Sequence, residues 1–286
     1  MADSSTPSSD TVTVHRGLFR SVDLYVEDTG GTGRPVVLIH GWPLSGASWA
    51  HQVPALRAAG HRVISYDRRG FGRSDKPASG YDYDTFAEDL QSILEALDLR
   101  DVTLVGFSMG GGEVARYVAK YGQDRIRSVV FASAVPPYLA QSDDNPDGPL
   151  DAETAAAMKA GLTKDRHAFF PQFVNDFFSA NGVLKVSPQE VADAVALAEQ
   201  SDQKAALGAM NAFATTDFRD DLTKVTVPTL VIHGSADGIV PFEGSGRRTA
   251  AAIPGSEVVV IEGAPHGVNV SDAEEWNAAV VAFLAK

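Results

Sequence analysis

An α/β fold is predicted for this 286-residue chain: a mostly parallel eight-stranded sheet flanked by helices, with a helical cap inserted after the sixth strand. Three observations predict it. Short apolar runs recur along the chain, stretches of helical spacing separate them, and the alternation breaks once, for about 90 residues.

The elements follow in order. Residues 12–19, TVTVHRGL, and 21–28, SVDLYVED, alternate apolar with polar positions as half-buried antiparallel strands do, placing Val22, Leu24 and Val26 on one face. GTGRP at 31–35 is a turn. VVLIH at 36–40 is an apolar run of the kind that forms a strand covered on both faces, and similar runs follow at 63–66, 102–105, 126–132, 229–233 and 257–261. Helical spacing fills 48–59, 82–98, 109–121, 244–252 and 272–284, so the later strands are joined by helical crossovers and run parallel.

From 135 to 224 no buried-strand run occurs. This segment holds polar QSDDNPDGP, then FFPQFVNDFF, then an alanine-rich helical pattern over 188–214, and an insertion of this length needs structure of its own. Phe169, Phe173 and Phe177 recur every four residues and Phe170 and Phe178 stand eight apart, so each set lies along a helix, packing a cap onto the sheet or lining a pocket under it. The resulting division is a disordered tail at 1–11, a core from 12–134 and 225–286, and a cap at 135–224.

Composition narrows the function. Twenty-four basic residues against 37 acidic give a net charge of −13 and no basic run, which disfavours nucleic acid and acidic membrane surfaces as partners. The chain has no cysteine, so disulfides, thiolate metal sites and cysteine nucleophiles are excluded. Neither HExxH nor a close histidine pair suggests a metal, and no glycine cluster is followed by GK[ST] or reads GxGxxG at a helix start. The polar MADSSTPSSD start lacks the features of a secretory signal, and no run reaches the length of a membrane span, which makes the expected location cytoplasmic.

LVGFSMGGG, residues 104–112, carries the chemistry. Gly106, Phe107, Ser108, Met109 and Gly110 spell GxSxG between a predicted strand and a predicted helix, a turn that projects a serine hydroxyl over the sheet edge. Small residues are needed two before and two after the serine, where side chains would strike adjacent strands and the turn itself. A hydroxyl becomes a nucleophile when a base takes its proton and a third group holds that base, and with such a turn the chain order is serine, acid, histidine. Three histidines follow Ser108. His167 lies in the cap, His233 ends a buried strand and is assigned to packing there, and His266 in GAPHGV is the candidate base. Asp237 is the carboxylate of HGSADGIVP, the loop after the preceding strand, and FASAVPP offers no alternative acid. Oxyanion donors are expected from the backbone N–H of Met109 and of Trp42, the latter in the loop after residues 36–40.

These residues resemble the α/β-hydrolase superfamily. Within it, IHGWPLSGASW, SYDRRGFGRSDKP, GYDYDTFAEDL, LVGFSMGGGEVARY and GAPHG are similar to the cofactor-free (non-haem) haloperoxidase, arylesterase and perhydrolase group, from about Val14 to the C-terminus and least in the cap. Haloalkane dehalogenases and epoxide hydrolases, by contrast, place an aspartate where Ser108 stands. The resemblance implies a Ser108, Asp237, His266 triad, an oxyanion hole at Trp42 and Met109, and no cofactor or metal. It implies hydrolysis of small-molecule esters through an acyl-enzyme, and peracid formation from a carboxylic acid and hydrogen peroxide. In that group a proline after the oxyanion-hole tryptophan, here Pro43, accompanies perhydrolysis. DDNPDG at 143–148 resembles γ-lactamases, leaving lactam opening as an alternative, and a non-catalytic small-molecule-binding protein is an alternative of another class. DRRGFGRSD, residues 67–75, reads as a structural loop, and a homo-oligomer is left open.

Overall fold

The computed structural model describes residues 8–16 and 20–286. Its main sheet has eight strands: β1 (Ser8–Arg16), β2 (Arg20–Asp28), β3 (Pro35–Ile39), β4 (Arg62–Tyr66), β5 (Val102–Phe107), β6 (Ile126–Ala132), β9 (Thr229–Gly234) and β10 (Glu257–Ile261). A small hairpin in the long insertion supplies β7 (Ser179–Ala180) and β8 (Val183–Leu184). The sheet order is β1-β2-β4-β3-β5-β6-β9-β10. β1/β2 and β2/β4 pair antiparallel, and every pair from β4 to β10 is parallel.

Of the tail expected at 1–11, residues 1–7 lie outside the described residues, while β1 already begins at Ser8 and pairs it with Asp28. A backbone ladder accepts polar residues at an exposed edge, so the serine-rich composition hid the strand's first turn of pairing. Residues 17–19, expected to extend that strand, also lie outside the description. β2 places Val22, Leu24 and Val26 in the core, as the alternation predicts.

β3, β5, β6 and β9 are buried along nearly their whole length. β10 departs from the expected burial: Val258 and Val260 are 47% and 38% exposed, because the strand closes the sheet at its edge and only part of it is covered. The helices outside the insertion are α1 (Gln52–Ala58), α2 (Tyr83–Ala96), α3 (Met109–Tyr121), α9 (Gly246–Ala252), α10 (Val268–Ser271) and α11 (Ala273–Leu284).

Between β6 and β9 lie α4 (Ala152–Lys164), α5 (Arg166–Phe177), α6 (Pro188–Glu199), α7 (Gln203–Thr215) and α8 (Arg219–Leu222). The 188–214 pattern is therefore two helices, divided where Ser201 and Asp202 intervene and the Asp202 side chain caps α7. In the sheet, β3 is flanked by β4 on one side and β5 on the other, so the connections diverge there and open a crevice at the strands' carboxyl ends. Trp42 and Ser108 follow those two ends. Among the described residues no helix is long and apolar enough to cross a membrane.

Candidate active site

Ser108 stands between β5 and α3 with φ 53° and ψ −119°, a left-handed-side conformation that a residue with a Cβ adopts only when its surroundings enforce it. Its N–H donates to the Ala132 carbonyl (2.8 Å) and its carbonyl accepts from Gly111 (3.0 Å) and Val135 (3.2 Å). The flanking glycines are needed for close approach. A Cβ on Gly106 would come within 2.5 Å of the Gly110 carbonyl oxygen, and one on Gly110 within 2.4 Å of the Ile39 carbonyl oxygen. The turn and the neighbouring strand thus both exclude side chains, as expected from the sequence.

The three predicted partners are brought together. His266 Nε2 lies 2.9 Å from Ser108 Oγ, and His266 Nδ1 lies 2.7 Å from Asp237 Oδ2. Asp237 Oδ1 accepts the N–H groups of Ile239 (2.9 Å) and Val240 (2.8 Å). Burial alone would push the Asp237 carboxyl up. The positive charge that His266 carries whenever it is protonated, then the contact with His233 and the bond to His266, outweigh burial and hold it well below the usual carboxylate range. An ionised Asp237 can only accept, so Nδ1 of His266 carries the ring proton and Nε2 is free to receive that of Ser108. The rings of Phe107 and Phe177 pack on His266, with centroids 5.2 and 4.8 Å away.

Met109 opens α3, and Trp42 follows β3. Among the described hydrogen bonds none takes the backbone N–H of either residue. The Trp42 side chain is fixed separately: its Nε1–H donates to the Ala206 carbonyl on α7 (3.0 Å), and its ring meets Phe173 and Phe213 edge-on at 5.0 and 5.6 Å. A cavity of about 280 Å³ opens over Ser108, walled by Trp42, Phe169, Phe173, Phe213 and Leu139. Two of the phenylalanines from FFPQFVNDFF, Phe169 and Phe173, therefore line it, while Phe170 and Phe178 are packing residues.

Sequence reasoning underread three features. DRRGFGRSD is structural in a specific way: Arg68 is buried, its Nε donating to Glu113 on α3 (2.8 Å) and its Nη2 to the His40 carbonyl (3.0 Å). Tyr66 donates to the other Glu113 oxygen. One guanidinium thus ties the strand end before Trp42 to the helix after Ser108. Replacing Arg68 by methionine is expected to lower unfolding free energy by about 3–5 kcal/mol, read by denaturant titration, because it strands a buried carboxylate.

In DDNPDG the aspartates are exposed, and the residue with a structural task is the asparagine between them. Asn145 is buried, donating to the Tyr138 (3.0 Å) and Ala140 (2.6 Å) carbonyls and accepting from Arg248 (2.6 Å), so it staples the loop that carries Leu139 and Pro149 into the cavity wall. His233, assigned to packing, stands beside Asp237. Only its four-residue spacing from Asp237 could have signalled this.

Gly111 and Gly112 also gain a reason. A Cβ on Gly111 would meet Ala134 at 2.3 Å, and one on Gly112 would meet Phe218 at 2.5 Å and Tyr83 at 2.7 Å. Tyr83 uses that space to donate to the Met109 carbonyl (3.0 Å). Gly112→Ala is expected to destabilise the protein by about 1–3 kcal/mol through overpacking, measurable as a lowered unfolding midpoint.

Known proteins share this arrangement's frame. The non-heme chloroperoxidase CPO-A1 of Kitasatospora aureofaciens is 46% identical over 270 residues, 93% of this chain and 97% of that protein. The bifunctional esterase/perhydrolase DCH of Acinetobacter calcoaceticus is 37% identical over 266 residues, covering 92% and 96% respectively. Among solved structures, a bromoperoxidase from Bacillus anthracis superposes with a TM-score of 0.94 at 52% identity, covering 98% of this chain and 100% of that one. Residues 34–273 match a family described by its alpha/beta hydrolase fold. A serine on a strained strand-to-helix turn, the sheet order around it and this match lead to one statement of kinship: the chain belongs to the alpha/beta hydrolase fold family.

Proposed function

We propose that this protein is a serine carboxylic-ester hydrolase, arylesterase-like, that also forms peracids when hydrogen peroxide replaces water. The observation that carries the reading is the hydrogen-bonded line from Ser108 through His266 to Asp237, opening onto an apolar cavity. Ser108 Oγ attacks the ester carbonyl as His266 takes its proton, and the oxyanion is held by the N–H groups of Met109 and Trp42. His266 then protonates the leaving alcohol, and an acyl-Ser108 ester remains. Water or hydrogen peroxide, losing a proton to His266, adds to that ester. Its collapse returns the proton to Ser108 and releases a carboxylic acid or a peracid. A peracid so released would oxidise halide in solution.

The similarity to a chloroperoxidase and to an esterase/perhydrolase supports both branches. Lactam opening and non-catalytic binding have no observation of their own in their favour. The core and cap division at 135–224 belongs to the same proposal, supported by cavity walls drawn from both parts.

A fluorophosphonate probe tests the reading. One label per chain is expected, on the peptide containing Ser108, with p-nitrophenyl acetate hydrolysis lost in proportion. Absence of labelling, or full hydrolysis by the labelled protein, rejects it. Peracid formation is followed by bromination of a reporter dye with acetate, bromide and peroxide, and a signal no higher than that of Ser108→Ala rejects that branch.

Among the described residues, Asp176 is the charged side chain that lines the cavity, and it is exposed. An ester bearing a distal carboxylate is therefore expected to show kcat/KM about tenfold below its neutral isostere, and Asp176→Asn to narrow that gap.

A further inference from the structure

His233 ends β9, four residues before Asp237, and both side chains are fully buried. Its Nε2 lies 2.8 Å from the Val240 carbonyl oxygen and 3.2 Å from Asp237 Oδ2. Both neighbours of Nε2 are acceptors, so the ring proton belongs there. Nδ1, on the other side, is buried and meets no hydrogen-bond partner among the described residues. It faces Gly246, where a Cβ would come within 2.6 Å of it, and the ring leans on Phe242 with centroids 5.5 Å apart. A buried histidine with one nitrogen unpaired by the protein around it is a costly way to fill space, since an apolar residue would place no acceptor there.

We propose that His233 is a positioning residue for Asp237, so that the acid of the site is held between two imidazoles; this rests on the triad reading given above. Each carboxylate oxygen then has two donors facing it. Oδ1 takes the Ile239 and Val240 N–H groups, and Oδ2 faces Nδ1 of His266 and Nε2 of His233. The carboxylate cannot rotate about its last bond without losing contacts on both sides. The His233 N–H also draws part of the negative charge away from His266, and these two histidines are the titratable groups facing Asp237. By clamping the Val240 carbonyl, the same N–H closes the turn from which the Oδ1 donors come.

His233→Leu removes the donor, leaving more negative charge for the base. The acid limb of kcat/KM against pH for p-nitrophenyl acetate is expected to move upward by about half a unit to one unit. At neutral pH kcat should fall about tenfold while KM stays near its original value, because substrate does not touch His233. His233→Gln, whose amide N–H can replace Nε2–H, should recover most of both. An unmoved acid limb and kcat in His233→Leu, with only a lower unfolding temperature, would show a purely packing role and overturn the proposal.

Nitrogen-15 NMR of histidine-labelled wild-type protein, with the His233 signal identified by its absence from His233→Gln, needs no change to the site. A protonated Nε2 and bare Nδ1 are expected, and a protonated Nδ1 overturns the assignment. Asp237→Asn run in parallel separates the failures. If it retains full activity, the triad reading itself is wrong; if it is inactive while His233→Leu is unaltered, only the role of His233 is lost.

Discussion

Ser108→Ala is expected to lower kcat for p-nitrophenyl acetate by about 10⁶, the loss typical when a triad nucleophile is removed. The substitution deletes one atom, Oγ, and keeps the Cβ, so it adds no steric demand to the backbone at φ 53°. The Ser108 N–H and carbonyl bonds to Ala132, Gly111 and Val135 do not involve the hydroxyl, so the turn should survive. The unfolding midpoint should therefore stay within a few degrees of wild type. The variant should retain substrate in the cavity and show a residual rate of about 10³ over water from the oxyanion donors and binding alone. A loss smaller than tenfold, measured on protein free of contaminating esterase, would mean that the hydroxyl is not the attacking group.

Asp237→Asn is expected to cost about 10⁴ in kcat, with little change in fold. The asparagine keeps an oxygen to receive the Ile239 and Val240 N–H groups, so its NH₂ comes to lie where Oδ2 now faces two ring nitrogens. Opposite that NH₂, His266 must present an unprotonated Nδ1. The ring proton then moves to Nε2 and points at Ser108, the tautomer that cannot accept a proton from it. Such a loss differs in kind from that in Ser108→Ala: the nucleophile is intact, and a fluorophosphonate should still label it, but much more slowly. Labelling at the wild-type rate would contradict the assigned role of Asp237.

The sheet and the serine turn were legible because both depend on local signals. Apolar runs report strands buried on both faces, and GxSxG needs its glycines at fixed offsets, whatever happens elsewhere in the chain. The proposed acid and base, Asp237 and His266, were picked out by chain order, and the structure brings both beside Ser108. What the sequence concealed depends on contacts between distant segments. Nothing local distinguishes Arg68 as a buried tie between β3 and α3, or Asn145 as the staple of a cavity loop. His233 looked like packing because its role lies in the direction of one N–H. Val258 and Val260 read as buried because an apolar run carries no mark of whether a further strand lies beside it.

The surroundings of Trp42 also give the protein a built-in optical reporter. The chain has three tryptophans, and two of them, Trp49 and Trp276, lie buried against each other with ring centroids 6.0 Å apart. Trp42 alone lines the cavity, its indole N–H held by Ala206 and its faces met by phenylalanines of the inserted helices. Its emission should respond to whatever enters beside Ser108 or shifts α5 and α7, above a constant background from the buried pair. Stopped-flow fluorescence could then follow formation and decay of the acyl-enzyme without a chromogenic substrate, and Trp42→Phe would identify the signal by abolishing it.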